Sequence, residues 1–110
     1  MALLSTVLTA NISSIYTSNG NSVVTTMYFC NTSNITAEFS LYAVPSGANA
    51  GITNAIYYMV PLTSHDTYVI DTERLMFENG DGIFANLTLD ANVDANLSPT
   101  VVATITSIGI

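Results

Sequence analysis

Ser64-His65-Asp66 brings together the three residue types of a hydrolase triad, but at consecutive positions. A triad needs nucleophile, base and orienting carboxylate to converge from separate parts of a chain. Adjacent side chains cannot take up that arrangement, so these residues are expected to form a polar turn. Cys30 and His65 are the sole cysteine and histidine. No Lys or Arg stands near Cys30 in sequence to activate its thiol. It is therefore expected as a packed core thiol, and a single cysteine excludes an internal disulfide. One His and one Cys are also too few soft ligands for zinc.

Asp90, Asn92, Asp94 and Asn96 place side-chain oxygens at every second position, as the start of an EF-hand loop does. Ala95 stands where that loop needs Gly, Val101 stands where it needs Glu, and no flanking helices are expected. A sandwich loop can still hold calcium through alternating oxygens, with Asp81 as a further donor. The competing reading is a solvated loop whose Asn and Asp side chains bond their own backbone. No catalytic residue and no cofactor are expected.

Composition narrows the function more than any motif does. Arg74 is the one basic residue among 110, against eight acidic ones and no lysine, and the net charge is −7. A groove that follows a phosphate backbone needs several cations to displace counterions, and an anionic membrane surface needs the same. Nucleic acid and membrane are thus not expected partners. Charged residues make up 8% of the chain and hydrophobic ones 49%. The surface must therefore be largely Ser, Thr, Asn and exposed apolar side chains, the kind usually covered by another protein. Met1–Leu4 carries no basic residue and is soon broken by Ser5, Thr6 and Thr9, unlike a secretion signal. No apolar run approaches the length of a membrane span. The Asn-x-Ser/Thr sequons at Asn11, Asn31, Asn34, Asn86 and Asn96 carry little information in a chain this rich in Asn, Ser and Thr.

The elements that must position these residues follow a period of two. Residues 36–44 alternate Ala37, Phe39, Leu41 and Ala43 with Glu38, Ser40 and Tyr42. Residues 83–89 and 101–106 repeat the scheme, and 23–30 and 55–62 are apolar on both faces. Strands of the last kind are expected at the centre of a sandwich or under a neighbouring subunit. Asn19-Gly20 is expected to close a tight hairpin between 12–17 and 22–30. Pro45-Ser46-Gly47 and Asn79-Gly80-Asp81-Gly82 mark further turns, and 67–70 is a short strand. Residues 71–78 are expected to hold at most a helical turn. The fold expected is all-β: one antiparallel β-sandwich domain over 1–110, Ig-like or jelly-roll. Tyr42, Tyr57, Met59 and Phe84 fall opposite the inferred core and are the candidate interface residues, together with Arg74, which is expected to pair with a carboxylate in the same chain or in a neighbouring subunit.

Several stretches resemble the small virion structural proteins of tailed bacteriophages. These are the run 15–33, with Tyr16-Thr17-Ser18 before a Gly20-Asn21 turn and Tyr28-Phe29-Cys30-Asn31 closing the next strand; Leu41-Tyr42-Ala43-Val44-Pro45; 66–75; 78–83; and the apolar close at 104–110. The resemblance spans nearly the whole chain, and its motifs are turn-and-strand patterns, not a catalytic signature. Gly82 departs from it, standing where a strand-forming Thr is usual. The resemblance implies a β-sandwich accessory subunit present in symmetric copies in the virion, with no active site. The expectation is thus a non-enzymatic component of tail, neck or baseplate, a trimer or hexamer that contacts other virion proteins. A capsid decoration or cement protein is the alternative within that class. A receptor- or glycan-binding module is the alternative outside it, although the loops at 45–53 and 90–99 contain no aromatic residue.

Overall fold

The computed structural model describes residues 2–71, 75–89 and 99–109. Among these residues, nine strands are arranged in two antiparallel sheets: β1 (Ala2–Val7), β2 (Ser13–Thr17), β3 (Ser22–Asn31), β4 (Ala37–Val44), β5 (Ala55–Leu62), β6 (Thr67–Ile70), β7 (Leu75–Phe77), β8 (Gly82–Leu89) and β9 (Val101–Gly109). Sheet A has the order β1-β9-β3-β6, with β7 also paired to β3, and sheet B has the order β2-β8-β4-β5.

The pairing is that of a folded-over ribbon. β1 pairs with β9, β2 with β8, β3 with β6 and β7, and β4 with β5. Wrapping the ribbon adds the β9–β3 and β8–β4 pairs. With β6 and β7 sharing one strand position, this is an eight-position jelly roll. Of the two sandwich types expected, the strand order selects the jelly roll.

Alternation decides which residues meet between the sheets. On β3, Val24, Met27, Phe29 and Asn31 are buried; on β4, Ala37, Phe39 and Leu41; on β8, Ile83, Ala85 and Leu87; on β9, Val101, Ala103 and Ile105. Phe29 of sheet A stacks on Phe39 of sheet B with ring centroids 4.4 Å apart, and Tyr68 meets Phe39 edge-on at 5.5 Å. Fully burying such a ring stabilises by about 1.5–3 kcal/mol. Asn31 is also fully buried and binds the sheets together. Its Nδ2 donates to the carbonyls of Ile35 and Leu62 at 2.8 and 3.0 Å, while its Oδ1 accepts from the Ser33 amide and hydroxyl.

Several expectations are corrected here. Asn19-Gly20 does not close a hairpin, because β2 lies in sheet B and β3 in sheet A. Gly20 does adopt positive φ (77°), but its turn carries the chain between layers. β5, apolar on both faces, is an edge strand and not a central one. It runs through Pro61, an edge position where a missing N–H is tolerated. Residues 75–77 are a strand rather than part of a helical turn, held by pairs to Ser22, Val23 and Val24. β1 was not expected as a strand at all. It does not alternate apolar with polar residues, and pairing with β9 supplies what its own sequence does not.

Candidate interaction face

Cys30 lies on β3, whereas Ser64, His65 and Asp66 lie together in one turn, where all three are exposed. Asp66 accepts the Thr67 amide at 2.9 Å and the Thr63 hydroxyl at 3.2 Å, and the His65 amide donates to the Ser33 carbonyl at 3.3 Å. His65 has φ 59°, the left-handed backbone that such a turn demands. Cys30 is not in the core. Its neighbours Phe29 and Asn31 point inward and are fully buried, so the thiol is half-buried on the outer face of sheet A.

Asp81 acts as a clamp between loops. Its Oδ1 accepts the Ser46 amide at 2.8 Å and its Oδ2 the Glu78 amide at 2.9 Å. Those bonds, the one from Glu78 foremost, favour the ionised form and lower its pKa from the ordinary 3.8. Nearby, Gly82 lies so close to β2 that a Cβ there would meet the Tyr16 carbonyl oxygen at 2.7 Å. A Thr could not occupy the position without moving β2. Asp90, Asn92, Asp94, Asn96 and Arg74 lie outside the described residues. Among the described residues, no cluster of three or more His, Cys, Asp or Glu is placed to hold a metal.

The expected interface aromatics divide. Tyr42 does face away from the core, but it is buried (3% exposed), and its hydroxyl donates to Asn86 Oδ1 at 3.1 Å. Tyr57 turns inward and is half-buried; it packs against the core and meets Tyr68 edge-on at 6.1 Å. Phe84 is half-buried beside Tyr42, its cross-strand partner. Met59 is exposed, with φ 51° in an irregular part of β5. Of these residues, Tyr42 is enclosed, Tyr57 packs inward, Phe84 is half-buried and Met59 is open to solvent. Period-two reading assigned the sides of β4 and β8 correctly. It missed the irregular pairing that turns Tyr57 inward and the neighbours that enclose Tyr42.

The open face lies on sheet A. Val7, Val102, Cys30 and Thr67 form one cross-strand row, and Ser5, Thr104, Tyr28 and Val69 the next. Leu3, Thr106 and Thr26 form a third, and Ile108, Val23 and Met76 a fourth. No residue in these rows is charged. Leu3, Val7, Tyr28, Val69, Met76 and Ile108 are all substantially exposed, Leu3 and Met76 at 72% and 74%. The sequence contained a signal for this face. Residues 1–37 and 95–110 include no Asp, Glu, Lys, Arg or His, and the topology gathers β1, β3 and β9 from those two segments into one sheet.

No protein-family model matches the chain, and no match was found among curated proteins.

Proposed function

We propose that this protein is a non-enzymatic structural subunit of a tailed-bacteriophage particle, an accessory protein of the tail, neck or baseplate. The observation that carries the reading is the uncharged, apolar-rich outer face of sheet A. A layer of Val, Leu, Tyr, Met and Thr that stays in water forgoes the burial such side chains favour, and a neighbouring protein provides it. The phage-like motifs from Ile15 to the final strand supply the kind of assembly. The jelly roll is compatible with this reading but does not select it, because the same fold serves capsid and lectin domains. The functional mechanism is docking: the face is desolvated against other virion proteins while the exposed Asp66, Asp71 and Glu78 stay in solvent.

The test is the copy number of this chain in purified particles of the phage that encodes it, measured by quantitative mass spectrometry relative to the major capsid protein. Chymotrypsin is the protease of choice, because Arg74 is the one tryptic site. A ratio far below that of the capsid protein supports tail, neck or baseplate. A ratio near it moves the subunit to the head as a decoration protein, and absence from particles overturns the virion role. Tyr28→Asp, on the open face, is expected to fold normally and to lose incorporation.

A further inference from the structure

The four edges of the two sheets are not equally protected. β5 carries Pro61, two register irregularities and the positive-φ Met59. β2 is broken by a register shift between Ser14 and Tyr16. β6 and β7 are four and three residues long and share one side of β3. Prolines, bulges and short strands are the devices that keep sheet edges from pairing with other chains. β1 has none of them. It runs six residues in unbroken register with β9, from Ala2 opposite Ser107 to Val7 opposite Val102, with no charge and no proline.

The core is also unfinished along this edge. Leu4 lies opposite Ile105, whose side chain is buried between the sheets, yet Leu4 remains 43% exposed. One more strand beside β1 would cover it. We propose that two copies of this chain pair antiparallel through β1, continuing sheet A across a two-fold axis.

Charge selects a second copy as the occupant. Two molecules of net charge −7 repel unless they meet where neither carries charge. β1 and its neighbour β9 lie within the charge-free segments, so neither strand brings an acidic residue to the contact. The pairing is self-complementary when Ser5 sits on the axis. Leu3 of one copy then lies opposite Val7 of the other on the outer face, and Leu4 lies opposite Thr6 on the inner face. Like faces stay aligned, as cross-strand packing requires.

Size sets the strength. Six residues span roughly 20 Å, and the smallest extent of the molecule is 20 Å. The contact therefore covers roughly 400 Å² per copy, about half of what a standard stable interface buries. A reversible dimer, weaker than a standard stable interface gives, follows. This contact is between copies of the chain and does not depend on the virion reading. It builds the two-folds of a hexamer but not a trimer.

The experiment is sedimentation equilibrium of the full chain across its soluble concentration range, with oxidative cross-linking of Ser5→Cys. Wild-type protein is expected to pass from monomer to dimer, and Leu3→Lys/Val7→Lys to shift the transition upward by about tenfold or more. Ser5→Cys is expected to form a disulfide dimer at least about tenfold faster than Ser64→Cys, an exposed control with the same Cys30 background. Circular dichroism confirms that each variant is folded. A monomer at all concentrations overturns the proposal. So does a dimer in which Ser5→Cys links no faster than the control, because copies would then meet elsewhere.

Discussion

On β4, Ser40, Tyr42 and Val44 face away from the core, and all three are buried. On β3, Thr26, Tyr28 and Cys30 also face away from the core, and they remain half-buried or exposed. Both strands are central in their sheets and both alternate. The difference lies in what surrounds them. Tyr42 is tied to Asn86, Ser40 Oγ accepts the Met59 amide at 2.9 Å, and the short 3₁₀ turn at Ile52–Asn54 contacts β4. Among the described residues, sheet A has no comparable closure over Tyr28. Two outer faces with the same period thus differ in exposure: one is closed by its own polar bonds, while the other stays open to solvent.

Removing the Asn31 bridge between the two sheets should be among the costliest changes. Asn31→Ala leaves the Ile35 and Leu62 carbonyls without their donor, and a loss of about 3 kcal/mol is expected in urea unfolding. The faces themselves separate in a matched pair of substitutions. Tyr42→Ala should destabilise by about 3 kcal/mol, as truncation of a buried aromatic does. Tyr28→Ala should stay within about 0.5 kcal/mol. Equal effects at the two positions would break the contrast between the faces. Gly82→Ala tests how closely β2 and β8 approach, and the contact with the Tyr16 carbonyl should cost about 2 kcal/mol in thermal unfolding.

The smallest expected effect belongs to Asp81. Its pKa is lower in the folded state, so the ionised carboxylate contributes stability above its ordinary value of 3.8. That contribution is lost as pH falls through the lowered folded value. The stability difference between wild type and Asp81→Asn should therefore be constant near neutrality and shrink in acid below 3.8. A difference that grows in acid would mean that Asp81 does not act through its charge.

Much of the fold was legible because buried alternation leaves a strong mark. Ala37, Phe39 and Leu41, and Ile83, Ala85 and Leu87, point inward as their spacing requires. The bounds of β5 and β6 also fall where residue type changes. β1 and β7 were not legible. Each depends on hydrogen bonds to a strand distant in sequence; β1 does not alternate apolar with polar residues, and β7 is too short to show a period. The candidate site was legible in composition and illegible in place. Scarcity of charge indicated exposed apolar surface, but the enclosure of Tyr42 on sheet B and the exposure of Tyr28 on sheet A could not be read from their spacing.

By itself, the sequence determined that the chain forms strands, which side of most strands is apolar, and that too few charges exist to cover the molecule. These are local or summed properties, set by side-chain chemistry and a two-residue repeat. Tertiary structure decided the jelly-roll order, the turn at Asn19-Gly20 that changes sheets, and which outer face stays open. Those depend on which distant strands meet, because a face is buried or free only relative to what is packed beside it.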